Sequence, residues 1–257
     1  MLAVGTLWQR EIVRFLRQRS RIVGALVQPL VFWILLGGGL SASFRPPGAP
    51  AGTGYLEYFF PGTIALVLLF TAIFATIAVV EDRRSGFLQG VLVAPVSRRT
   101  IVLGQALGGT TLAVAQGVLF LALAPLAGVP LTVGRVLATT GTMAVVAFGL
   151  TNLGLLIAWR MESTQGFHAI MNLVLLPIWF LSGAFFPVTD APAVLRWLMR
   201  IDPLTYGLGA LRTCIYLGRG VAFGDVPALG ASLAISALFG VVAFGAATLV
   251  AERSSTL

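Results

Sequence analysis

Apolar residues run through this chain in long uninterrupted blocks, without the alternating or half-polar patterns of a water-facing fold. Residues 59–80, 100–134, 136–159, 169–189 and 226–251 contain no Asp, Glu, Lys or Arg. Each block is long enough to cross the ~30 Å hydrocarbon core of a bilayer as a helix rising ~1.5 Å per residue. A further apolar block covers 22–42. The pattern therefore predicts six spans: 22–42, 59–80, 102 to the breaker "PLAGVP" at 125–130, 136–159, 169–187 and 226–251.

The segments between the blocks carry their own patterns. In residues 1–21, Arg10, Arg14, Arg17 and Arg21 recur at helical spacing on one face, with Trp8, Ile12 and Phe15 on the opposite one. This predicts an amphipathic helix in the membrane interface, Trp at headgroup depth and Arg toward lipid phosphates. The small residues of "GLSAS" (39–43) resemble a signal-peptidase site, but the long charged leader and the long apolar run argue against cleavage. "RPPGAPAGTG" (45–54) reads as a flexible external turn. Residues 181–218, "LSGAFFPVTDAPAVLRWLMRIDPLTYGLGALRTCIYLG", alternate Pro/Gly breakers with apolar stretches. They predict a short outer helix at Ala193–Ile201 and an amphipathic or re-entrant one at Tyr206–Leu217, since irregular backbone at membrane depth must be sheltered by protein or water. The fold class that follows is all-α and integral to the membrane: one transmembrane domain, 1–257, with an interfacial helix (1–21) and a six-span bundle (22–251).

Composition agrees with the pattern. Only 10% of residues are charged and 58% are hydrophobic, against roughly 25% charged in soluble domains. All seventeen basic residues are Arg, and most sit at the ends of spans. That distribution sets topology and does not form a phosphate-reading face, which argues against nucleic acid as a partner. With the N-terminus inside, eleven of the seventeen fall on the cytoplasmic side, so both termini are expected in the cytoplasm and the chain in the plasma or inner membrane.

The lack of Lys excludes a P-loop, whose Lys reaches the nucleotide phosphates. If ATP drives this protein, another polypeptide binds it, and no cofactor is expected on this chain. One Cys (Cys214), one His (His168) and no H-E-x-x-H leave no disulfide and little for a metal. The five uncharged blocks lack the intramembrane carboxylates of an ion-coupled transporter, and no nucleophile, base and ligand cluster marks a membrane enzyme.

One stretch stands out against the scarcity of charge: "EDRRSGFLQGVLVAPVSRR", residues 81–99. Its charged ends cost about 2.5–3.5 kcal/mol each at mid-bilayer, so they pin the segment at the interface. Phe87, Leu88, Val91 and Leu92 fall at i, i+1, i+4 and i+5, one apolar face of a short helix. Gly86 and Gly90 narrow its other side, and Pro95 ends it. Such a helix seats in a partner's groove or rests on lipid. Glu162, Ser163 and His168 in "WRMESTQGFHAIMN" (159–172) form either a second contact or a polar turn. Asn152 and Asn172 within spans either bond between helices or meet a substrate. Phe59, Phe60, Phe70, Phe74, Trp179, Phe180, Phe185 and Phe186 line a hydrophobic path or pack the bundle.

"VVEDRRSGFLQGVLVAPVSRRTIVLGQ" resembles the cytoplasmic loop of ABC-2-type transporter permeases. "LSGAFFPVTDAPAVLRWLMRIDPLTYGLGALR" resembles the segment after that family's fifth span, and "YFFPGTIALVL" (58–68) its second-span start. The likeness lies toward the drug-resistance and nodulation branch. It implies a dimer of six-helix subunits, homo- or heteromeric, each docked on a separate ATP-binding subunit. It further implies that the amphipathic N-terminal helix and the 81–99 loop, through Glu81, Arg83, Arg84, Gly86, Phe87, Leu88, Val91, Leu92 and Pro95, meet that ATPase; on the functional reading of their turn, Glu162 and His168 are a second contact. By their own spacing, Trp8, Arg10, Arg14, Phe15 and Arg17 mark that helix as interfacial, against membrane lipid. Exported substrates would be hydrophobic drugs, lipids or lipid-linked glycans. An ion-coupled transporter and a membrane assembly factor stand as the alternatives.

Overall fold

A computed structural model describes residues 2–40, 54–188, 191–219 and 227–253, and among these it is helical with no strand. The helices are α1 (Leu2–Arg17), α2 (Arg19–Gly39), α3 (Tyr55–Ala75), α4 (Ile77–Arg84), α5 (Phe87–Val93) and α6 (Arg98–Leu121). A 3-10 turn (Ala124–Ala127) follows. Then come α7 (Val133–Ala158), α8 (Thr164–Leu181), α9 (Ala193–Ile201), α10 (Pro203–Ile215) and α11 (Leu229–Arg253). Six helices are long and apolar enough to cross a membrane: Ile22–Gly39, Tyr55–Arg84 (α3 and α4 together), Arg98–Leu121, Val133–Ala158, Thr164–Leu181 and Leu229–Arg253.

Local chemistry sets several starts. Ser97, Thr132, Ser163 and Asp202 each accept a backbone N–H two or three residues on, at 2.9–3.4 Å, capping α6, α7, α8 and α10. The second span begins at Tyr55, ahead of the expected 59. Glu57 does not end it, because the Glu57 carboxylate pairs with Arg219 at 2.7 Å and can sit inside the helix. The expected turn at 45–54 lies outside the described residues except for Gly54, which precedes α3.

The α3–α4 span is the centre of the bundle, 83% buried, against 17% for α2, 22% for α8 and 28% for α11. Around α3 pack α2, α6 and α7. Trp33, Phe60 and Phe120 from three helices meet in its core at 5.4–6.0 Å between rings. The outer faces of α2, α8 and α11 show Val27, Ile34, Leu173 and Leu238 to whatever surrounds the protein.

Between the last two spans, α9 occupies the expected Ala193–Ile201. α10 is not surface-lying. It packs against α3, α7 and α11 and buries Leu204, Leu208, Leu211 and even Arg212. Arg212 lies over the Tyr58 ring at 4.5 Å and donates to the Gly183 carbonyl at 2.8 Å. The Tyr58 hydroxyl donates to the same oxygen at 3.1 Å. Buried guanidinium is tolerated where carbonyls and a π-face replace its water. Gly183 holds φ +87°, a left-handed conformation that L side chains disfavour, and so turns its carbonyl to both donors.

Candidate functional site: the charged end of the bundle

The second span breaks at Thr76 and continues as α4, which carries Glu81–Arg84 out of the apolar zone. Gly86, at φ +75°, then turns the chain into α5. Asp82 is almost fully buried, and a buried carboxylate stays charged only among cations or donors. Arg10 supplies a two-pronged pair, Nη1 to Oδ2 and Nη2 to Oδ1, both at 2.6 Å. Arg14 donates to Asp82 Oδ1 at 2.8 Å and to Glu81 Oε2 at 2.5 Å. The guanidinium of Arg10 also stands 4.0 Å above the Phe87 ring. On the other side, Arg83 donates to the Trp159 and Met161 carbonyls at 2.6 and 2.8 Å, and Arg84 reaches Thr164 Oγ1 at 3.3 Å. One node thus ties α1, the α4–α5 elbow and the turn between α7 and α8.

α1 is further seated on α6. Trp8 Nε1 donates to Thr111 Oγ1 at 3.0 Å. A Cβ on Gly104 would lie 2.8 Å from Leu7 Cβ, and one on Gly108 would lie 2.7 Å from Glu11 Cβ. The two glycines, four residues apart, let the backbones approach as small residues do in membrane helix pairs. Phe15 is buried too, and Arg17 is exposed. The arginine face expected to meet lipid phosphates is therefore directed, at Arg10 and Arg14, onto protein carboxylates, because Asp82 requires them.

Glu11 is enclosed by this packing. Burial pushes its carboxyl up to about 7, against the opposing pull of Arg10 and Arg14. A carboxyl raised on folding binds its proton more tightly in the folded state. Its ionisation then lowers stability as pH rises from the ordinary value of 4.5 to about 7, with the full cost present above that. Glu11→Gln is expected to match the parent chain near pH 4.5 and to exceed it increasingly up to pH 8. Thermal unfolding in detergent across that range checks this; a parallel offset at every pH would contradict it.

The expected loop residues do not share one outward face. Phe87 is 43% exposed, whereas Leu88 is 3% exposed and belongs to the chain's own core. Adjacent helix residues diverge by about 100°, enough to part them. Val91 is half-buried, Pro95 is exposed, and the Leu92 side chain lies outside the described part. Arg83 and Glu81 are held inside the node, Arg84 and Gly86 at its surface. Glu162 is exposed, and His168 packs 5.2 Å from the Phe74 ring, away from the ion pairs. Asn152 donates within its own helix, to the Phe148 carbonyl at 2.8 Å. Asn172 lines an open cavity of about 530 Å³ with Gln28, Leu66, Phe70, Phe74 and Leu176, between α2, α3 and α8.

Asp82, the hub, and the Gly104/Gly108 seat were not singled out from the sequence. The Gly-x-x-x-Gly spacing is the one readable signal for the seat. The Asp82 partners are 68 and 72 residues away in the chain, and no local pattern marks them.

Known proteins place this architecture. The pattern of the family described as ABC-2 type transporter matches residues 3–216. Nodulation protein J of Rhizobium meliloti (strain 1021) is 27% identical over 96% of this chain and 91% of its own length. Nodulation protein J of Rhizobium leguminosarum bv. trifolii is 27% identical over 83% and 81%. The inner membrane transport permease YadH of Escherichia coli (strain K12) is 25% identical over 82% of each. With six apolar helices in order and a family pattern that runs from α1 through α10, the chain belongs to the ABC-2 type transporter family.

Proposed function

We propose that this chain is the membrane permease of an ABC exporter, driven by a separate ATP-binding subunit that docks on the charged end of the bundle. The observation that carries the reading is the node at Asp82. It joins α1, the α4–α5 elbow and the α7–α8 turn into one platform and leaves the Phe87 ring exposed upon it. The excess of Arg at this end supports a cytoplasmic platform, with both termini on the same side. Exposed apolar faces on α2 and α8 suit a second copy, identical or related, and the cavity at Phe70, Phe74 and Asn172 suits a hydrophobic or amphipathic substrate beside that interface.

The test separates docking from folding. Phe87→Asp removes an exposed ring whose burial in a partner is worth roughly 1.5–3 kcal/mol, so copurification of the ATP-binding subunit should fall about tenfold or more at matched membrane levels. Leu88→Asp is expected to act otherwise: it puts a charge into the chain's own core and lowers the amount of folded protein. Equal recovery of the partner with Phe87→Asp would remove the elbow from the docking surface. Saturable ATP binding by the purified chain alone would overturn the separate-subunit reading.

A further inference from the structure

Away from the node, α7 and α11 share a groove. The two helices touch at Gly149 and Gly240: a Cβ on Gly149 would lie 3.5 Å from Gly240 Cα and 2.8 Å from Phe239 Cδ1. Beyond that contact, at the same end as the ion-pair node, they part around a groove of about 310 Å³ lined by Leu156, Arg160, Ala246, Leu249, Val250 and Arg253. Its walls are apolar, and its charged lining is two cations. The Arg160 backbone N–H donates to the Ile157 carbonyl at 3.0 Å, and its guanidinium makes no hydrogen bond or ion pair with a described residue; Arg253 and Glu252 each have further interactions of their own. Glu252 adjoins Arg253 in the chain but does not line the groove.

We infer that this groove binds an anionic phospholipid, an acyl chain against Leu156, Ala246 and Leu249, and the phosphate between Arg160 and Arg253. Both parts of the ligand have a counterpart. The apolar trough opens toward the hydrocarbon that surrounds the spans, and the planar forks of two guanidiniums match phosphate oxygens. The C-terminal ends of α7 and α11 oppose an anion with about half a negative charge each, and the Arg160 guanidinium alone offsets both, with Arg253 adding donors. Basic pockets between spans at the membrane surface select anionic headgroups for this reason. The inference needs six membrane spans and is independent of the ATP-binding partner.

The full chain is incubated in neutral detergent with phosphatidylglycerol and phosphatidylcholine of the same acyl chains, at equal concentrations, and retained lipid is read by native mass spectrometry. One phosphatidylglycerol per chain should be kept in preference. Arg160→Gln with Arg253→Gln should reduce that preference roughly twenty-fivefold, about fivefold per arginine. Both side chains are exposed, so the fold survives their replacement. Ala246→Phe fills the groove, keeps both charges, and should reduce retention of either lipid. Arg98→Gln with Arg99→Gln, at the same end but outside the groove, should change nothing. Glycerol phosphate should not displace the bound lipid. The site is refuted by equal retention of the two lipids, by a preference that survives loss of Arg160 and Arg253, or by retention unchanged in Ala246→Phe. A loss as large with Arg98→Gln and Arg99→Gln would reduce it to diffuse surface charge, and displacement by glycerol phosphate would make it a free-anion site.

Discussion

Asp82→Ala is expected to release α1 from the bundle. The substitution removes the shared acceptor of Arg10 and Arg14 and leaves them only Glu11 and Glu81, neither of which bridges the two. Breaking a buried ion pair from one side costs about 3–5 kcal/mol. Here the arginine side chains keep 30% and 24% of their exposure, so water recovers part of that and about 2–4 kcal/mol remains. Two readouts follow: a lower thermal midpoint in detergent, and faster tryptic cleavage after Arg10 and Arg14. Asp82→Asn, which keeps acceptor geometry without charge, should fall between. If Asp82→Ala left both midpoint and cleavage unchanged, α1 would be held by its seat on α6 alone.

Gly62→Val should be at least as damaging. A Cβ at this position would lie 2.8 Å from Ala184 Cβ and 3.1 Å from Ala184 Cα, so backbone and not a pliant side-chain tip is in the way. The Gly62 carbonyl also accepts from Trp179 Nε1 at 2.8 Å. Moving α3 away to relieve the clash therefore breaks a buried hydrogen bond and unseats an aromatic group that includes Phe59 and Phe185. Overpacking costs 1–3 kcal/mol or more, and loss of the bond adds ~1 kcal/mol. Recovery of monodisperse protein from membranes should collapse. Gly141→Ala is the contrast: nothing lies within 4 Å of a Cβ there, and a helical Gly→Ala change stabilises by about 0.5–1 kcal/mol. Similar recovery for the two variants would show that the α3 contact with the 182–187 turn is loose.

The spans and the short outer helix were legible because both depend on local pattern. A block without charge has one stable disposition in lipid, and Pro192 and Pro203 bracket α9. The limits of α3 were less legible, since the sequence does not say that Glu57 finds Arg219. The face of α5 was misread for a similar reason. Phe87, Leu88 and Val91 are all apolar, and only the packing of Leu88 into the core distinguishes the buried one from the exposed one. The platform itself depends on pairs 67 to 80 residues apart, from Arg14 with Glu81 to Arg84 with Thr164. Periodicity within a helix shows that Arg10 and Arg14 share a face. It does not show what that face meets.

The seat of α1 also orders events during synthesis. Chains emerge N-terminus first, and α1 is complete long before its partners exist. Asp82 follows Arg10 by 72 residues and Thr111 follows Trp8 by 103. Until Glu81 and Asp82 follow, the carboxylates of the chain are Glu11, on α1 itself, and Glu57, which pairs with Arg219 in the finished fold. The first two apolar blocks, 22–42 and 59–80, are therefore made before those arginines can pair as they do in the finished fold. Only when α6 presents Gly104, Gly108 and Thr111 can α1 take its seat. The clasp at the head of the chain is thus closed last, by residues made after two spans are complete.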